Sequence, residues 1–92
     1  MSIDKKALLE RFLEYVQIDS ETGNEKNMCD RMVADLTALG GVVTTDEAGK
    51  AIDSNGYNVY ATFEGTLPGD SIIYSCHMDT VKPGNGIKPV IA

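Results

Sequence analysis

The hydrophobic pattern of this chain changes from a helical period to an extended one at the pair Gly40-Gly41. Before this pair, apolar residues recur every three or four positions along two stretches, which is the spacing of a one-sided helix. After it come β-branched and apolar runs separated by turn residues, a pattern typical of strands. The order predicts an α/β fold in which two N-terminal helices pack on a mixed β-sheet.

The first helical stretch has a clear beginning and end. Ser2 or Asp4 can cap it, because a side-chain oxygen at that position accepts a bond from a free backbone N–H. The pattern fades near Gln17. Its apolar stripe consists of Ala7, Leu8, Leu9, Phe12, Leu13 and Val16.

The second helix follows a polar stretch with turn chemistry at residues 19–24. We expect it to begin between Thr22 and Glu25 and to end at Gly40-Gly41, because glycine accepts the left-handed conformation that closes many helices. Its apolar stripe consists of Met28, Cys29, Met32, Val33, Leu36 and Leu39.

Three stretches after the glycine pair predict strands. Residues 42–45 are all β-branched, which suits an extended chain, and residues 57–64 form a second run. Residues 46–56 between them predict a long loop. The apolar run 71–76 predicts a buried central strand, paired antiparallel with 57–64 across the Pro-Gly turn at 65–70.

The composition excludes several classes of partner. The chain has 92 residues, a net charge of −6 and a pI near 4.5. Nucleic acids and anionic membrane surfaces need clustered Lys and Arg, so neither is expected as a partner. No apolar stretch approaches the ~20 residues of a membrane span, and the N-terminus shows no signal-peptide pattern.

The two cysteines, Cys29 and Cys76, predict reduced thiols rather than a disulfide framework. One lies in a helical pattern and the other in the apolar run 71–76, so both are expected to be buried. Reduced thiols and the absence of a signal peptide favour a cytoplasmic location.

His77, the single histidine, comes directly after the apolar run 71–76, and Asp79 follows two positions later. In an extended chain, residues i and i+2 point the same way, so the imidazole and carboxylate can meet. A metal-binding histidine usually donates its other ring N–H to such a group. Catalytic zinc, however, needs three protein ligands, and the sequence offers no second histidine. The pattern alone is compatible with a hydrogen-bonded surface pair as well as with a metal site.

The wider sequence resembles a family of di-zinc exopeptidases. The stretch Ile-Ile-Tyr-Ser-Cys-His-Met-Asp-Thr-Val at 72–81 is similar to the first signature of the family that includes peptidase T, acetylornithine deacetylase, succinyl-diaminopimelate desuccinylase and carboxypeptidases. Residues 12–25 resemble the start of that family and 58–61 one of its strands. Residues 81–89 resemble the peptidase T-like branch most.

The resemblance implies a role for two residues of this chain. His77 matches the first metal ligand of the family, and Asp79 matches the catalytic Asp that orients the metal-binding group. Two Zn²⁺ ions per site are implied. The remaining ligands, the general-base Glu and the lid domain would follow residue 92, so residues 1–92 are expected to be the N-terminal part of a catalytic domain.

The resemblance implies hydrolysis of short peptides by a tripeptidase- or aminopeptidase-like exopeptidase in the full-length protein. The 92-residue chain alone is expected to be inactive and to bind Zn²⁺ weakly or not at all. The alternative is a non-catalytic truncated module that acts through self-association or partner binding. Truncation would expose apolar surface, and such patches favour association.

Overall fold

The computed structural model of the chain describes residues 3–91. Three helices and two strands follow in the order α1 (Lys5–Val16), α2 (Lys26–Ala38), β1 (Val42–Thr45), α3 (Ala48–Ala51) and β2 (Val59–Thr62). The predicted α/β class, with two helices ahead of the strands, is confirmed. Within these residues, no helix has the length and apolar character needed to cross a membrane.

Helix α1 begins at the predicted cap. The Asp4 carboxylate accepts the backbone N–H of Ala7 at 3.0 Å, and Gln17 caps the other end. The alternative cap, Ser2, lies outside the described residues. Only the C-terminal part of the predicted stripe is half-buried, at Leu13 and Val16. The stripe residues nearer the N-terminus remain exposed, among them Leu8, Leu9 and Phe12.

Helix α2 carries the most buried apolar side chain of the described residues. Cys29 is 1% exposed, and its thiol lies 3.1 Å from the backbone carbonyl of Tyr57. The helix begins just after Glu25 and ends ahead of Gly40, whose φ of +93° is the positive value expected of a closing glycine. The burial predicted for Cys29 is therefore confirmed.

The sheet consists of β1 and β2, paired antiparallel with Val43 opposite Ala61 and Thr44 opposite Tyr60. Alternate residues point to opposite faces, as the pleat requires. Val43 and Ala61 are half-buried, whereas Tyr60 is exposed. Helix α2 packs against both strands, so the small core lies between this helix and one face of the sheet.

The region predicted as a long loop, residues 46–56, contains the short helix α3. Asp46 organises it: one carboxylate oxygen accepts the backbone N–H groups of Ala48 and Asn58, both at 3.1 Å. A helix of four residues is shorter than two turns. It has no room for a periodic apolar stripe, so the sequence pattern could not reveal it.

The prediction of a strand at 71–76 is wrong for the described part of the chain. Residues 71–79 form no helix or strand, and β2 pairs with β1 instead of with this run. Ile73 is 89% exposed and Tyr74 87%. Cys76, expected to be buried, is also exposed. A strand must pair its N–H and C=O groups with a neighbour. No strand of residues 3–91 lies beside this run, so the sheet is antiparallel and two-stranded rather than mixed.

Candidate active site

His77 and Asp79 lie side by side. The Nδ1 atom of His77 is 3.0 Å from the carboxylate Oδ1 of Asp79 and 3.0 Å from its backbone carbonyl oxygen. Both facing atoms are acceptors, so the contacts are attractive only when the ring proton sits on Nδ1. In the neutral ring, Nε2 then carries the free lone pair. The imidazole is 86% exposed, which leaves this nitrogen open to a ligand.

The second oxygen of the Asp79 carboxylate has a partner of its own. The hydroxyl of Thr22 donates to Oδ2 at 2.6 Å. The hydrogen bond from Thr22 lowers the pKa of Asp79 most, and the contact with His77 is the second cause. Together they hold this pKa below its usual value of 3.8. The carboxylate is therefore ionised at neutral pH and can accept a hydrogen bond on each of its two oxygens.

The polar loop between α1 and α2 holds the backbone around Asp79. The hydroxyl of Ser20 donates to the carbonyl of Met78 at 2.6 Å, and the N–H of Thr80 donates to the carbonyl of Ser20 at 2.8 Å. The N–H of Thr22 donates to the carbonyl of Thr80 at 3.2 Å. Ser20 is only 2% exposed. The two backbone bonds form a parallel bridge between Glu21 and Thr80, which joins the loop to the segment after His77.

The acidic side chains of the same loop bind backbone N–H groups farther along the chain. Glu21 accepts from Gly84 at 2.7 Å, and Asp19 accepts from Gly86 at 2.8 Å. Their carboxylates are thus used to fix the course of residues 84–86. The loop between α1 and α2 therefore bonds both to residues 78–80 beside His77 and to residues 84–86.

An open cleft lies beside the pair. His77 and Asp79 line it together with Glu25, Ile52 and Tyr57, among others. The imidazole and carboxylate therefore border an open concave surface that is lined by both polar and apolar residues.

The described residues do not form a complete metal site. No group of three or more His, Cys, Asp or Glu side chains within residues 3–91 could hold a metal ion. His77 offers a free imidazole nitrogen with a carboxylate behind it, which is the usual arrangement of a metal-binding histidine. A catalytic zinc site needs two further protein ligands. The described residues do not supply them.

The i, i+2 spacing correctly predicted that the side chains of His77 and Asp79 would meet. Their roles as metal ligand and catalytic residue remain predictions. Sequence reasoning missed Ser20 and Thr22, which it placed in a polar loop. The signal was present, because these two hydroxyl residues lie in the stretch 12–25 that carries the family resemblance.

The chain is similar to two known proteins, one in sequence and one in structure. No family model matches it. It is 43% identical over 89 residues to the uncharacterized protein YqjE of Bacillus subtilis (strain 168), covering 97% of this chain and 24% of that protein. It superposes on a tripeptidase from Staphylococcus aureus subsp. aureus Mu50 with a TM-score of 0.93 and 39% identity, covering 98% of this chain and 24% of the tripeptidase. The chain spans about a quarter of the length of each. In sequence and fold, it is a peptidase-like α/β unit that matches the N-terminal part of a tripeptidase structure.

Proposed function

We propose that residues 1–92 are the N-terminal part of the catalytic domain of a metal-dependent, peptidase T-like exopeptidase that cleaves short peptides. His77 would supply one metal ligand and Asp79 would orient it. The observation that carries this proposal is the contact of 3.0 Å between His77 Nδ1 and Asp79 Oδ1, with Nε2 left free. The likeness of the whole chain to a tripeptidase supports it.

The chain itself contributes ligand orientation and charge. Asp79 keeps the proton of the neutral ring on Nδ1, which leaves the lone pair on Nε2. The ionised carboxylate also makes the imidazole a stronger donor of electrons to a cation. When bound, Zn²⁺ lowers the pKa of water toward ~7 and polarises a scissile carbonyl.

The rest of the catalytic machinery would belong to the whole protein. Hydrolysis needs further metal ligands and a general base, and the described residues do not form a set of metal ligands. The relatives are about four times as long as this chain. We therefore propose that the remaining ligands, both Zn²⁺ ions and the contacts to the peptide substrate depend on sequence beyond residues 1–92, and that this stretch alone is inactive.

A chimera tests the proposal directly. Residues 1–92 replace the matching quarter of the S. aureus tripeptidase, and hydrolysis of a tripeptide is measured together with the bound metal. We expect an active chimera. Asp79→Asn should lower kcat/KM by roughly 10- to 100-fold, the usual cost of losing the carboxylate behind a ligand. His77→Ala should lower activity further and reduce the metal content.

Lys6→Ala provides the matched control, because Lys6 is an exposed residue of α1 and lies outside the cleft. It should leave activity and metal content unchanged. A folded chimera that is inactive, or one in which His77→Ala is as active as its parent, contradicts the proposal.

One observation favours a second function, association without catalysis. The run 71–76 exposes the side chains of Ile72, Ile73 and Tyr74 by 78%, 89% and 87%, and its backbone has no neighbouring strand within residues 3–91. An apolar extended segment of this kind can pair with a strand of another chain. We propose a second copy of this chain as that partner.

A further inference from the structure

The Asp79 carboxylate divides its two oxygens between groups that are far apart in the sequence. Oδ1 lies 3.0 Å from the ring nitrogen Nδ1 of His77, and Oδ2 accepts the hydroxyl of Thr22 at 2.6 Å. Thr22 comes before α2, whereas His77 and Asp79 follow the sheet. The three side chains form a continuous hydrogen-bonded row that ends at the imidazole.

The hydroxyl proton of Thr22 has two possible acceptors. The Asp79 oxygen is at 2.6 Å and carries a negative charge, whereas the backbone carbonyl of Thr80 is at 3.3 Å and is neutral. A charged acceptor gives the shorter and stronger bond. The proton therefore points at Asp79.

The backbone fixes the position of this hydroxyl. The N–H of Thr22 donates to the carbonyl of Thr80 at 3.2 Å, and the N–H of Thr80 donates to the carbonyl of Ser20 at 2.8 Å. These bonds join the segment that carries Thr22 to the segment that carries Asp79, and Ser20 is buried. The backbone bonds thus hold the Thr22 hydroxyl in place independently of its contact with the carboxylate.

We propose that Thr22 is a positioning residue that, through Asp79, keeps the ring proton of His77 on Nδ1 and leaves Nε2 as the free nitrogen. The use of Nε2 as a metal ligand rests on the proposed function. The position of the proton is a property of this chain and can be measured without metal or substrate.

An exposed imidazole needs such a support. His77 is 86% exposed, so water competes for Nδ1, and a carboxylate free to rotate loses rotamer freedom when it pairs with the ring. Anchoring one oxygen of Asp79 removes that loss in advance. The other oxygen then faces Nδ1 more of the time.

The single histidine makes the test unambiguous. The ¹⁵N chemical shifts of the two ring nitrogens give the ratio of the Nδ1–H to the Nε2–H form in the 92-residue chain, at a pH well above the usual histidine pKa of about 6.5. We expect an excess of the Nδ1–H form in the wild type. Thr22→Val should lower the ratio by roughly threefold, within the range of one net hydrogen bond. Thr22→Ser, which keeps the hydroxyl, should restore it.

Asp79→Ala sets the lower limit of the ratio, because only the backbone carbonyl then faces Nδ1. Amide spectra check that each variant keeps the wild-type fold, and Thr22→Ala replaces Thr22→Val if the valine disturbs it. The proposal is overturned if the wild type shows no Nδ1–H excess. It is also overturned if folded Thr22→Val and Thr22→Ala keep the wild-type ratio. Neither outcome depends on whether the chimera hydrolyses peptides, so failure of the proposed function is recognised separately.

Discussion

At the scale of single residues, Asp46 organises the chain around α3 through hydrogen bonds that no pattern in the sequence predicts. Its carboxylate accepts the backbone N–H groups of Ala48 and Asn58 and also bonds the Asn58 amide and the Tyr60 hydroxyl. These donors, led by the N–H of Ala48, lower the pKa of Asp46 from 3.8 to about 2. One side chain thus joins α3 to the beginning of β2.

The lowered pKa of Asp46 predicts an acid-sensitive fold. In the unfolded chain an Asp takes up its proton near pH ~3.9, whereas in the folded chain it does so near pH about 2. The unfolded state therefore binds more protons in this window, and stability is present above it and lost as the pH falls through it. Asp46→Asn should flatten this part of a plot of the thermal midpoint against pH.

Asp70→Asn, which removes an exposed carboxylate outside the helices and strands, serves as the control and should keep the wild-type slope. An Asp46→Asn profile as steep as that of the wild type would contradict the assignment to Asp46.

At the scale of elements, a network of polar contacts joins α1 and α2. The Tyr15 hydroxyl donates to Asp35 at 2.5 Å, and Arg31 bonds both oxygens of the same carboxylate at 3.0 and 2.9 Å. The guanidinium of Arg31 also lies 5.3 Å from the centre of the Tyr15 ring. The hydroxyl of Tyr15 thus completes a network across the two helices.

Tyr15→Phe isolates the contribution of that hydroxyl, because it leaves the ring under Arg31 in place. The free energy of unfolding should fall by about 1 kcal/mol, the usual net value of one hydrogen bond. Denaturant unfolding measures it. Thr66→Val removes a hydroxyl from an exposed residue outside the helices and strands and should have little effect. Equal losses in the two variants would show that the network does not hold the helices.

At Gly49 in α3, substitution by alanine should have the opposite effect on stability to the one that helix propensity predicts. Alanine favours helices over glycine by about 1 kcal/mol, but a Cβ at Gly49 would meet the backbone oxygen of Gly56 at 1.9 Å. Backbone at that distance must move, so Gly49→Ala should lower the thermal midpoint. Gly65→Ala is the control, because its Cβ would meet only one atom, at 4.0 Å. A Gly49→Ala variant as stable as the wild type would contradict the close approach.

At the scale of the whole molecule, the described fold is broad and thin. The radius of gyration is 15.1 Å, compared with about 12 Å for a compact domain of this length, and the extents are 44 × 41 × 19 Å. Cys29 is the one apolar residue buried in the core of the described part. Much of the apolar surface therefore lies outside the contact between α2 and the sheet.

The exposed run 71–76 predicts self-association of the isolated chain, because burial of Ile72, Ile73 and Tyr74 in a second copy removes apolar surface from water. Sedimentation velocity over a concentration series should show a dimer that Ile73→Lys dissociates. Leu67→Lys adds the same charge at a position 86% exposed outside the run and should leave the dimer intact. A wild type that is monomeric at every concentration would contradict the second candidate function.

The elements that sequence reasoning predicted well are those with local causes. The capping residue Asp4, the closing Gly40 and the β-branched run 42–45 each act through their own backbone, and each is found as expected. The partner of β2 could not be predicted in this way. Pairing depends on which strands approach each other, and the pattern of 57–64 is equally compatible with a neighbour on either side.

The sequence alone determined the two helices, the first strand and the meeting of His77 with Asp79, because periodicity, capping and i, i+2 geometry act over a few residues. Only the tertiary structure decided that the loop before α2 supports the site. The bonds from Ser20 and Thr22 to residues 78–80 span nearly 60 positions. No local pattern encodes contacts of that span, because they depend on how the whole chain folds back on itself.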